Sequence, residues 1–324
     1  MFVVYLVLVS ALAVVFGLSF LLPWALGKLL GLFIPHAAAV GKAGGLALVS
    51  FLAACLAFAL LFGWRIVKVR RVEISFKDLP ASFDGYKIAQ FSDWHLGTYK
   101  RNRRTIEKEV EKVLERKPDL IVFTGDIVNY DPSEIEPFVE TLSRLKAPDG
   151  VWSVMGNHDY CTYNPVRTPE ALKCYVRAVH ETEAKMGWRL LLNESAVIRR
   201  GTDSLALVGV ENDGDPPFPR LGDLGKATSG LPEGIFKILL SHDPTHWRRE
   251  VLPDTEIQLT LSGHTHAMQL RLWGLSPAKI NFDEWGGLYE EDGRKLFVST
   301  GSGGNLPVRF GAWPEVVIIT LRKK

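Results

Sequence analysis

The first 64 residues contain no acidic side chain, and their only charged side chains are Lys28 and Lys42. Without these two lysines, the 38 basic residues of the chain fall to 36, which equals the number of acidic residues. We therefore expect no nucleic-acid partner, because proteins that bind nucleic acid through bulk charge carry a basic excess. A hydrophobic fraction of 47% excludes a disordered chain. The sequence thus joins an apolar N-terminal part to a neutral, ordinarily charged remainder.

Cysteine is scarce, with three residues among 324. A chain of this length cannot be stapled by three thiols, so a disulfide scaffold is excluded. Cys55 lies within an apolar run, where it is expected to act as a small apolar side chain. Cys161 and Cys174 are left, and a bridge between them would be compatible with an exported domain.

Two long apolar runs occupy the N-terminal part, at about residues 3–27 and 44–64. Each reaches the roughly 20 apolar residues that span a bilayer core. A cleaved signal peptide is the alternative, but its basic leading region is missing and a second apolar run follows. We therefore expect residues 1–71 to form a membrane anchor of two transmembrane helices, with the lipid bilayer as a partner.

Basic residues are distributed unevenly around the two runs. The loop between the runs carries two lysines, whereas four basic residues follow the second run: Arg65, Lys68, Arg70 and Arg71. Because basic residues are retained preferentially on the cytoplasmic side, this bias predicts a cytoplasmic location for both termini and for the domain that follows.

From Val72 onward, short apolar or β-branched runs alternate with polar segments of helical periodicity. The apolar runs, which predict strands, are 87–92, 120–125, 151–156, 206–210, 237–242, 257–263, 295–300 and 315–321. Helical spacing occurs at 100–117, 133–145 and 169–186. The alternation predicts one α/β domain over residues 72–324.

Histidine and acidic residues follow many of the predicted strands directly. They are Asp93, His95, Asp126, Asn157, His158, Asp159, His242, His264 and His266. The carboxyl ends of strands in an α/β sheet border the ligand crevice, so we expect these side chains to converge. Each short motif alone is a common turn, but burying so many His and Asp residues without a cation would be costly.

The types of side chain in this set indicate a metal site without thiolate ligands. Imidazole, carboxylate and amide groups suit Mn, Fe or Zn, and they do not form the sulfur cage of structural zinc. The set is too large for one tetrahedral ion. We therefore expect two divalent metal ions about 3.5–4 Å apart, an arrangement that clamps phosphoryl oxygens.

The ordered motifs resemble those of the calcineurin-like metallophosphoesterase superfamily over positions 85–322. The residues that carry the resemblance are Asp93-Trp94-His95, Gly125-Asp126, Gly156-Asn157-His158-Asp159, His242 and Gly263-His264-Thr265-His266. The Gly-rich segment 299–315 resembles the membrane-tethered branch, some members of which cleave the pyrophosphate of a UDP-linked diacyl sugar. The resemblance implies a four-layer αββα sandwich.

The resemblance also implies a role for each motif residue. The first metal ion would be held by Asp93, His95, Asp126 and His266. The second ion would be held by Asp126, Asn157, His242 and His264. His158 would stabilise or protonate the leaving oxygen, and Asp159 would orient or polarise His158.

The sequence also predicts roles for two further residues near these motifs. Arg309 is the candidate for binding substrate phosphate, since guanidinium groups suit phosphate oxygens. His246, one helical turn beyond His242, is expected to have a capping or surface role.

The expected function is a membrane-anchored, dinuclear metal-dependent phosphoesterase, in which water activated by the ions attacks phosphorus in line. The bond would be a phosphodiester, pyrophosphate or phosphomonoester, and the anchor favours a lipid-linked substrate. Two alternatives stay open, namely a broad-specificity membrane-tethered phosphatase and a catalytically silent scaffold of the same fold. The sequence does not determine the oligomeric state.

Overall fold

The structure is a computed structural model that describes residues 2–100 and 102–324. It divides into two compact units, one ending at Phe62 and one spanning Gly63–Lys324. The expected division at residue 71 falls inside β1 (Lys68–Phe76). This strand pairs with the C-terminal strand, so the basic segment after the second apolar run contributes to a sheet.

The N-terminal unit is a pair of apolar helices, α1 (Phe2–Leu30) and α2 (Ala37–Leu61), joined by a turn at residues 31–36. Both are long and apolar enough to cross a membrane. A Cβ on Gly27 would lie 2.7 Å from the Cα of Gly41, so the two backbones pack closely, as is common between membrane helices. Pro23 lies inside α1.

Two six-stranded mixed sheets form the centre of the second unit. The first sheet has the order β1, β12 (Glu315–Lys323), β2 (Lys87–Phe91), β3 (Leu120–Phe123), β4 (Val151–Ser153) and β5 (Arg189–Leu190). The second has the order β10 (Gly287–Glu291), β11 (Arg294–Val298), β9 (Leu259–Ser262), β8 (Phe236–Leu240), β7 (Asp203–Gly209) and β6 (Glu194–Arg200).

The central strands of each sheet are parallel and buried on both faces, which explains their nearly continuous apolar sequences. Ile88 and Val122 of the first sheet pack with Leu207 and Leu261 of the second in one apolar cluster between the sheets. Two further clusters lie on the outer faces, beneath the helices. This arrangement of helix, sheet, sheet and helix confirms the implied αββα sandwich.

Short and long helices cover the outer faces. They are α3 (Leu96–Tyr99), α4 (Arg103–Leu114), α5 (Val139–Leu142), α6 (Pro169–Lys185), α7 (Leu224–Thr228) and α8 (Leu252–Asp254). The helix predicted at 169–186 is confirmed as α6. The one predicted at 133–145 is reduced to two 3₁₀ turns and α5, because Pro137 lacks the N–H that a continuous helix requires there.

Candidate metal centre

The predicted metal-binding residues meet where parallel strands of the two sheets end. The first sheet supplies five of the side chains from the turns after β2, β3 and β4, and the second supplies three from the turns after β8 and β9. In that order they are Asp93, His95, Asp126, Asn157, His158, His242, His264 and His266. The convergence expected from the sequence is therefore present in the fold.

The turns that carry these side chains are strained. Five of the candidate ligands have positive φ angles, namely Asp93 (56°), His95 (47°), Asp126 (63°), His264 (71°) and His266 (50°). Non-glycine residues in this region cost about 1–3 kcal/mol each and persist only where surrounding contacts hold them. Gly125 precedes Asp126 with φ of 93°, and a Cβ there would approach the His242 ring to 2.7 Å. Strain is thus concentrated where the side chains meet.

A first group of donors comprises Asp93, His95, Asp126 and His266, whose ligand atoms all lie within 4.8 Å of one another. His95 Nε2 is 3.2 Å from His266 Nε2 and 3.5 Å from Asp126 Oδ2. His266 Nε2 is 3.5 Å from Asp93 Oδ1. The four atoms surround a common point, as the ligands of one ion do.

A second group comprises Asp126, His242 and His264. His242 Nε2 lies 3.3 Å from Asp126 Oδ2 and 3.2 Å from His264 Nδ1. Asn157 approaches the site with a buried Oδ1 that has no hydrogen-bond partner among the described residues, while its Nδ2 donates to the Tyr163 hydroxyl at 3.1 Å. A free amide oxygen fits a metal ligand, since a buried acceptor otherwise has a partner.

The charge states of three members of the first group suit a cation, whereas burial raises the pKa of the fourth, Asp93, to about 7. Burial, together with neighbouring imidazoles, holds the pKa values of His95 and His266 well below the usual range, so their rings are neutral and offer lone pairs. Burial alone would raise the pKa of Asp126, but His242 and His158 hold it well below its usual range. A carboxylate and neutral imidazoles are the donors that divalent transition metals take in proteins. The residues present therefore fit the ions.

His242 is held in place by both sheets. Its Nδ1 lies 2.7 Å from the Thr124 carbonyl oxygen, so Nδ1 carries a proton and Nε2 is directed at Asp126. Burial would lower the pKa of His242, but Asp126 and Asp93 outweigh it and raise the pKa to about 10. A proton and a cation therefore compete for Nε2, and metal binding there displaces a proton.

His158 stands at the edge of the donor groups without joining them. Its Nδ1 lies 2.7 Å from the Asn129 carbonyl oxygen, which assigns the proton to Nδ1 and leaves Nε2 as the atom that gains or loses a proton. Asn305 Nδ2 approaches Nε2 at 3.4 Å. This orientation suits proton transfer to a ligand in the adjoining cavity.

Comparison with known proteins agrees with this geometry. The family model of the calcineurin-like phosphoesterases matches residues 86–268. The chain belongs to this family. It is 32% identical over 255 residues to an uncharacterized metallophosphoesterase of Bacillus subtilis, YkuE, covering 75% of this chain and 82% of that protein.

Two further relatives of this phosphoesterase have more informative names. A transmembrane protein with metallophosphoesterase domain from Danio rerio is 30% identical over 260 residues, which cover 79% of this chain and 57% of that protein. The UDP-2,3-diacylglucosamine pyrophosphatase LpxG of Chlamydia trachomatis is 26% identical over 302 residues, which cover 78% of this chain and 89% of that protein. The chain is thus a metal-dependent phosphoric ester hydrolase, and it carries two helices long and apolar enough to cross a membrane.

The structure gives Asp159 a different task from the one the sequence suggested. Its carboxylate accepts hydrogen bonds from the backbone N–H groups of Asp126 and Ile127, each at 2.8 Å, and of Gly156 at 2.9 Å. It therefore fixes the turns after β3 and β4, and the Asn129 carbonyl, not Asp159, orients the His158 ring.

Arg309 and His246 are also placed differently from expectation. Arg309 is fully buried, and its guanidinium donates to the carbonyl oxygens of Thr300, Gly303 and Ala312, so substrate binding by Arg309 does not fit the structure. His246 is fully buried as well, and its ring nitrogens form hydrogen bonds with Ser241 Oγ at 2.9 Å and with Glu250 at 3.1 Å. Its expected surface role is wrong.

Sequence reasoning missed Asp243 of the phosphoesterase. This residue is buried, and its Oδ2 lies 3.4 Å from His264 Nε2, on the side of the ring opposite to Nδ1. Asp243 Oδ2 makes no hydrogen bond to a described residue, so it acts on the His264 ring through its negative charge, which favours a proton on Nε2 and leaves Nδ1 for an ion. The clue in the sequence was its position directly after His242 at the end of a strand.

A cavity of about 470 Å³ opens beside the donor groups. Its polar wall includes Asp126, Asn157, His158 and Asn305. The lining also includes the apolar side chains of Pro216, Pro217, Phe218, Met268 and Phe282. A ligand with a charged end and an apolar part would match these two kinds of lining.

Proposed function

We propose that this phosphoesterase is a dinuclear enzyme that hydrolyses a phosphodiester, pyrophosphate or phosphomonoester bond with two ions of Mn, Fe or Zn. The observation that carries the proposal is the position of Asp126, which belongs to both donor groups. The first ion would be held by Asp93, His95, Asp126 and His266. The second would be held by Asp126, Asn157, His242 and His264.

The bound ions supply Lewis acidity and an acidified water, which makes a nucleophile available near neutral pH. The chain itself positions the substrate and moves a proton. His158 holds its Nδ1 proton against the Asn129 carbonyl oxygen, and its Nε2 can give a second proton to the leaving oxygen. Asn305 Nδ2 lies 3.4 Å from that nitrogen.

Metal depletion and refilling test the dinuclear proposal. The full-length protein should lose hydrolysis of an aryl phosphodiester on chelation and regain it with Mn²⁺, Fe²⁺ or Zn²⁺, and elemental analysis should give two ions per chain. Full activity in metal-free protein would overturn metal dependence. One ion per chain at full activity would overturn the dinuclear assignment and leave the family activity intact.

We further propose that the substrate is lipid-linked. The name of the chlamydial relative describes a pyrophosphatase of a UDP-linked diacyl sugar. Phe218, Met268 and Phe282 supply an apolar wall that suits an acyl-bearing ligand. Two apolar helices bring the chain to the bilayer, where such ligands reside.

Substrates that differ only in their acyl chains test this part. In mixed micelles, kcat/KM on a UDP-diacyl sugar should exceed that on its deacylated counterpart. Equal values would remove the lipid-linked substrate and favour a broad-specificity membrane-tethered phosphatase. No hydrolysis of any ester by metal-loaded protein would instead favour the silent scaffold.

We propose a cytoplasmic catalytic unit on the basis of the basic residues that follow the second helix. Cys161 is buried and Cys174 is exposed, both as free thiols, which is compatible with a reducing compartment. Reporter fusions after Lys324 test the orientation. An active exported reporter, or a Cys161–Cys174 disulfide under thiol trapping, would reverse it.

A further inference from the structure

A loop beside the cavity presents several large apolar side chains to solvent. In the segment 270–280, which we call the apolar loop, Trp273 is 96% exposed, Ile280 85% and Leu275 66%. Single exposed apolar residues are normal on soluble proteins, whereas a cluster marks an interaction surface. This loop therefore needs a partner that accepts apolar side chains.

The apolar loop is held in a defined conformation. Leu272 and Leu275 exchange two backbone hydrogen bonds, at 2.9 and 2.8 Å, around a tight turn with Trp273 and Gly274 at its tip. Ser276 Oγ donates to the Ala267 carbonyl oxygen at 2.6 Å and fixes the base of the following 3₁₀ turn. The exposed side chains are thus presented by ordered backbone.

The charges around the loop favour an anionic partner. Residues 269–281 contain Arg271 and Lys279 and no acidic residue. Basic side chains beside exposed Trp, Leu and Ile are the combination found in segments that lie in the headgroup region of anionic membranes. Tryptophan in particular is enriched at the level of the lipid headgroups.

Within the catalytic unit, the apolar loop lies close to Gly63, the first residue of that unit. The Arg271 N–H donates to the Phe310 carbonyl oxygen at 2.9 Å, so the loop is paired to the segment that follows Arg309. Gly63 packs against the Arg309 backbone, and a Cβ there would overlap the Arg309 carbonyl oxygen. The chain reaches Gly63 directly after α2, which ends at Leu61.

We propose that the apolar loop is a second membrane-contact site, which inserts Trp273, Leu275 and Ile280 among the lipids while Arg271 and Lys279 meet anionic headgroups. The occupant is the bilayer surface itself. Met268 and Phe282, which flank the loop, line the cavity, so docking would bring the cavity close to the lipid. The proposal rests on membrane association and is independent of the dinuclear site and of the substrate.

Depth measurements on the full-length protein in nanodiscs of phosphatidylcholine and phosphatidylglycerol test the proposal. In a Cys55→Ala, Cys174→Ser background, an environment-sensitive fluorophore is placed at Trp273→Cys or at Ile280→Cys. The control is Leu288→Cys, an exposed position on the edge strand β10. Labels at 273 and 280 should be quenched by lipids that carry doxyl groups, and the label at 288 should not.

Two outcomes would overturn the proposal. Labels at 273 and 280 that remain open to a water-soluble quencher in nanodiscs would show that the loop stays in water. Labels shielded from both quenchers would show that protein covers the loop, either a second copy of the chain or another partner. The two positions are labelled in separate variants, so if one variant misfolds, the label in the other still tests the proposal.

A substitution at the same loop gives a functional measurement. Trp273→Glu combined with Ile280→Glu should lower the rate on an ester presented in vesicles while leaving the rate on a soluble aryl ester unchanged. The matched control is Leu288→Glu. Equal rates on the vesicle-bound ester for the loop variant and the control would contradict membrane docking.

Discussion

The two sheets contribute different chemistry to the metal centre. The first sheet supplies every oxygen donor, from Asp93, Asp126 and Asn157, together with His95. The second sheet supplies imidazole only, from His242, His264 and His266. Each donor group combines residues of both sheets, because His266 completes the first group and His242 and His264 complete the second, so neither sheet forms a donor group alone.

The two halves also differ in how their turns are held. The turns after β3 and β4 of the first sheet are fixed to each other, because the Asp159 carboxylate accepts hydrogen bonds from backbone N–H groups in both turns. Those of the second sheet are held by the first: His242 Nδ1 bonds the Thr124 carbonyl oxygen, and the His264 N–H donates to Asp93 at 3.0 Å. We therefore expect changes in the first sheet to have the larger effects.

The largest effect is expected at Asp126, the one first-sheet residue that belongs to both donor groups. Asp126→Asn should lose both ions and lower kcat by more than the roughly 10–100-fold that residues behind the ligands contribute. Elemental analysis and aryl phosphodiester hydrolysis measure this. Asp292→Asn, in an exposed turn, is the control. Retention of both ions and of full activity would refute the shared role of Asp126.

His158 separates proton transfer from metal binding within the first sheet. His158→Ala should keep both ions and lose roughly 10²–10⁴ in kcat, the contribution of a positioned general acid. Asn305→Ala should have a smaller effect, because Asn305 only contacts the Nε2 atom. If the metal content of His158→Ala falls by half, His158 is a ligand and the assignment is wrong.

A substitution at Asp243 tests the contribution of the second sheet to metal binding. Asp243→Asn should weaken metal affinity by about 10–100-fold while activity returns at high metal concentration, because the residue acts through the His264 ring. Metal titration monitored by calorimetry gives the affinity. Asp215→Asn, an exposed carboxylate on the same cavity, is the control. Identical titration curves for the two variants would remove Asp243 from the centre.

The smallest effect is expected on stability, at Glu183, which contacts a strand of the first sheet. Burial raises the pKa of Glu183, which bonds Ser153 of β4, to about 8. This value is above that of an unfolded glutamate, so its stabilising effect is complete below about pH 4 and falls as pH rises toward 8. Glu183→Gln should therefore raise Tm by several °C more at pH 8.5 than at pH 5.

Thermal unfolding across pH 5–9 measures the effect of Glu183→Gln. Glu181→Gln, an exposed change on the same helix, is the matched control. A Tm difference from wild type that stays constant between pH 5 and 9 would show that Glu183 does not titrate in the native state.

Prediction from sequence worked where local pattern and chemistry agree. The α6 helix was predicted because Pro169 suits a first helical turn and the following spacing is helical. Prediction worked less well where distant residues determine the structure. The basic residues of β1 resemble the flank of a membrane helix in the sequence, but in the structure they belong to a strand that pairs with β12. Arg309 shows the same difficulty, since an arginine that binds phosphate and one that binds carbonyl oxygens have the same sequence appearance.

The sequence by itself determined the α/β class, the two apolar helices and which side chains are candidates for the metal centre, because these follow from periodicity, hydropathy and side-chain chemistry along the chain. Only the tertiary structure decided that Asp159 fixes backbone turns, that Arg309 bonds carbonyl oxygens, and that Asp243 lies beside His264. Such roles depend on distances of about 3 Å between groups on different turns of the chain, as between the Asp126 N–H and the Asp159 carboxylate or between His242 and the Thr124 carbonyl oxygen. Those distances follow from how the strands and turns pack, which the local sequence pattern does not specify.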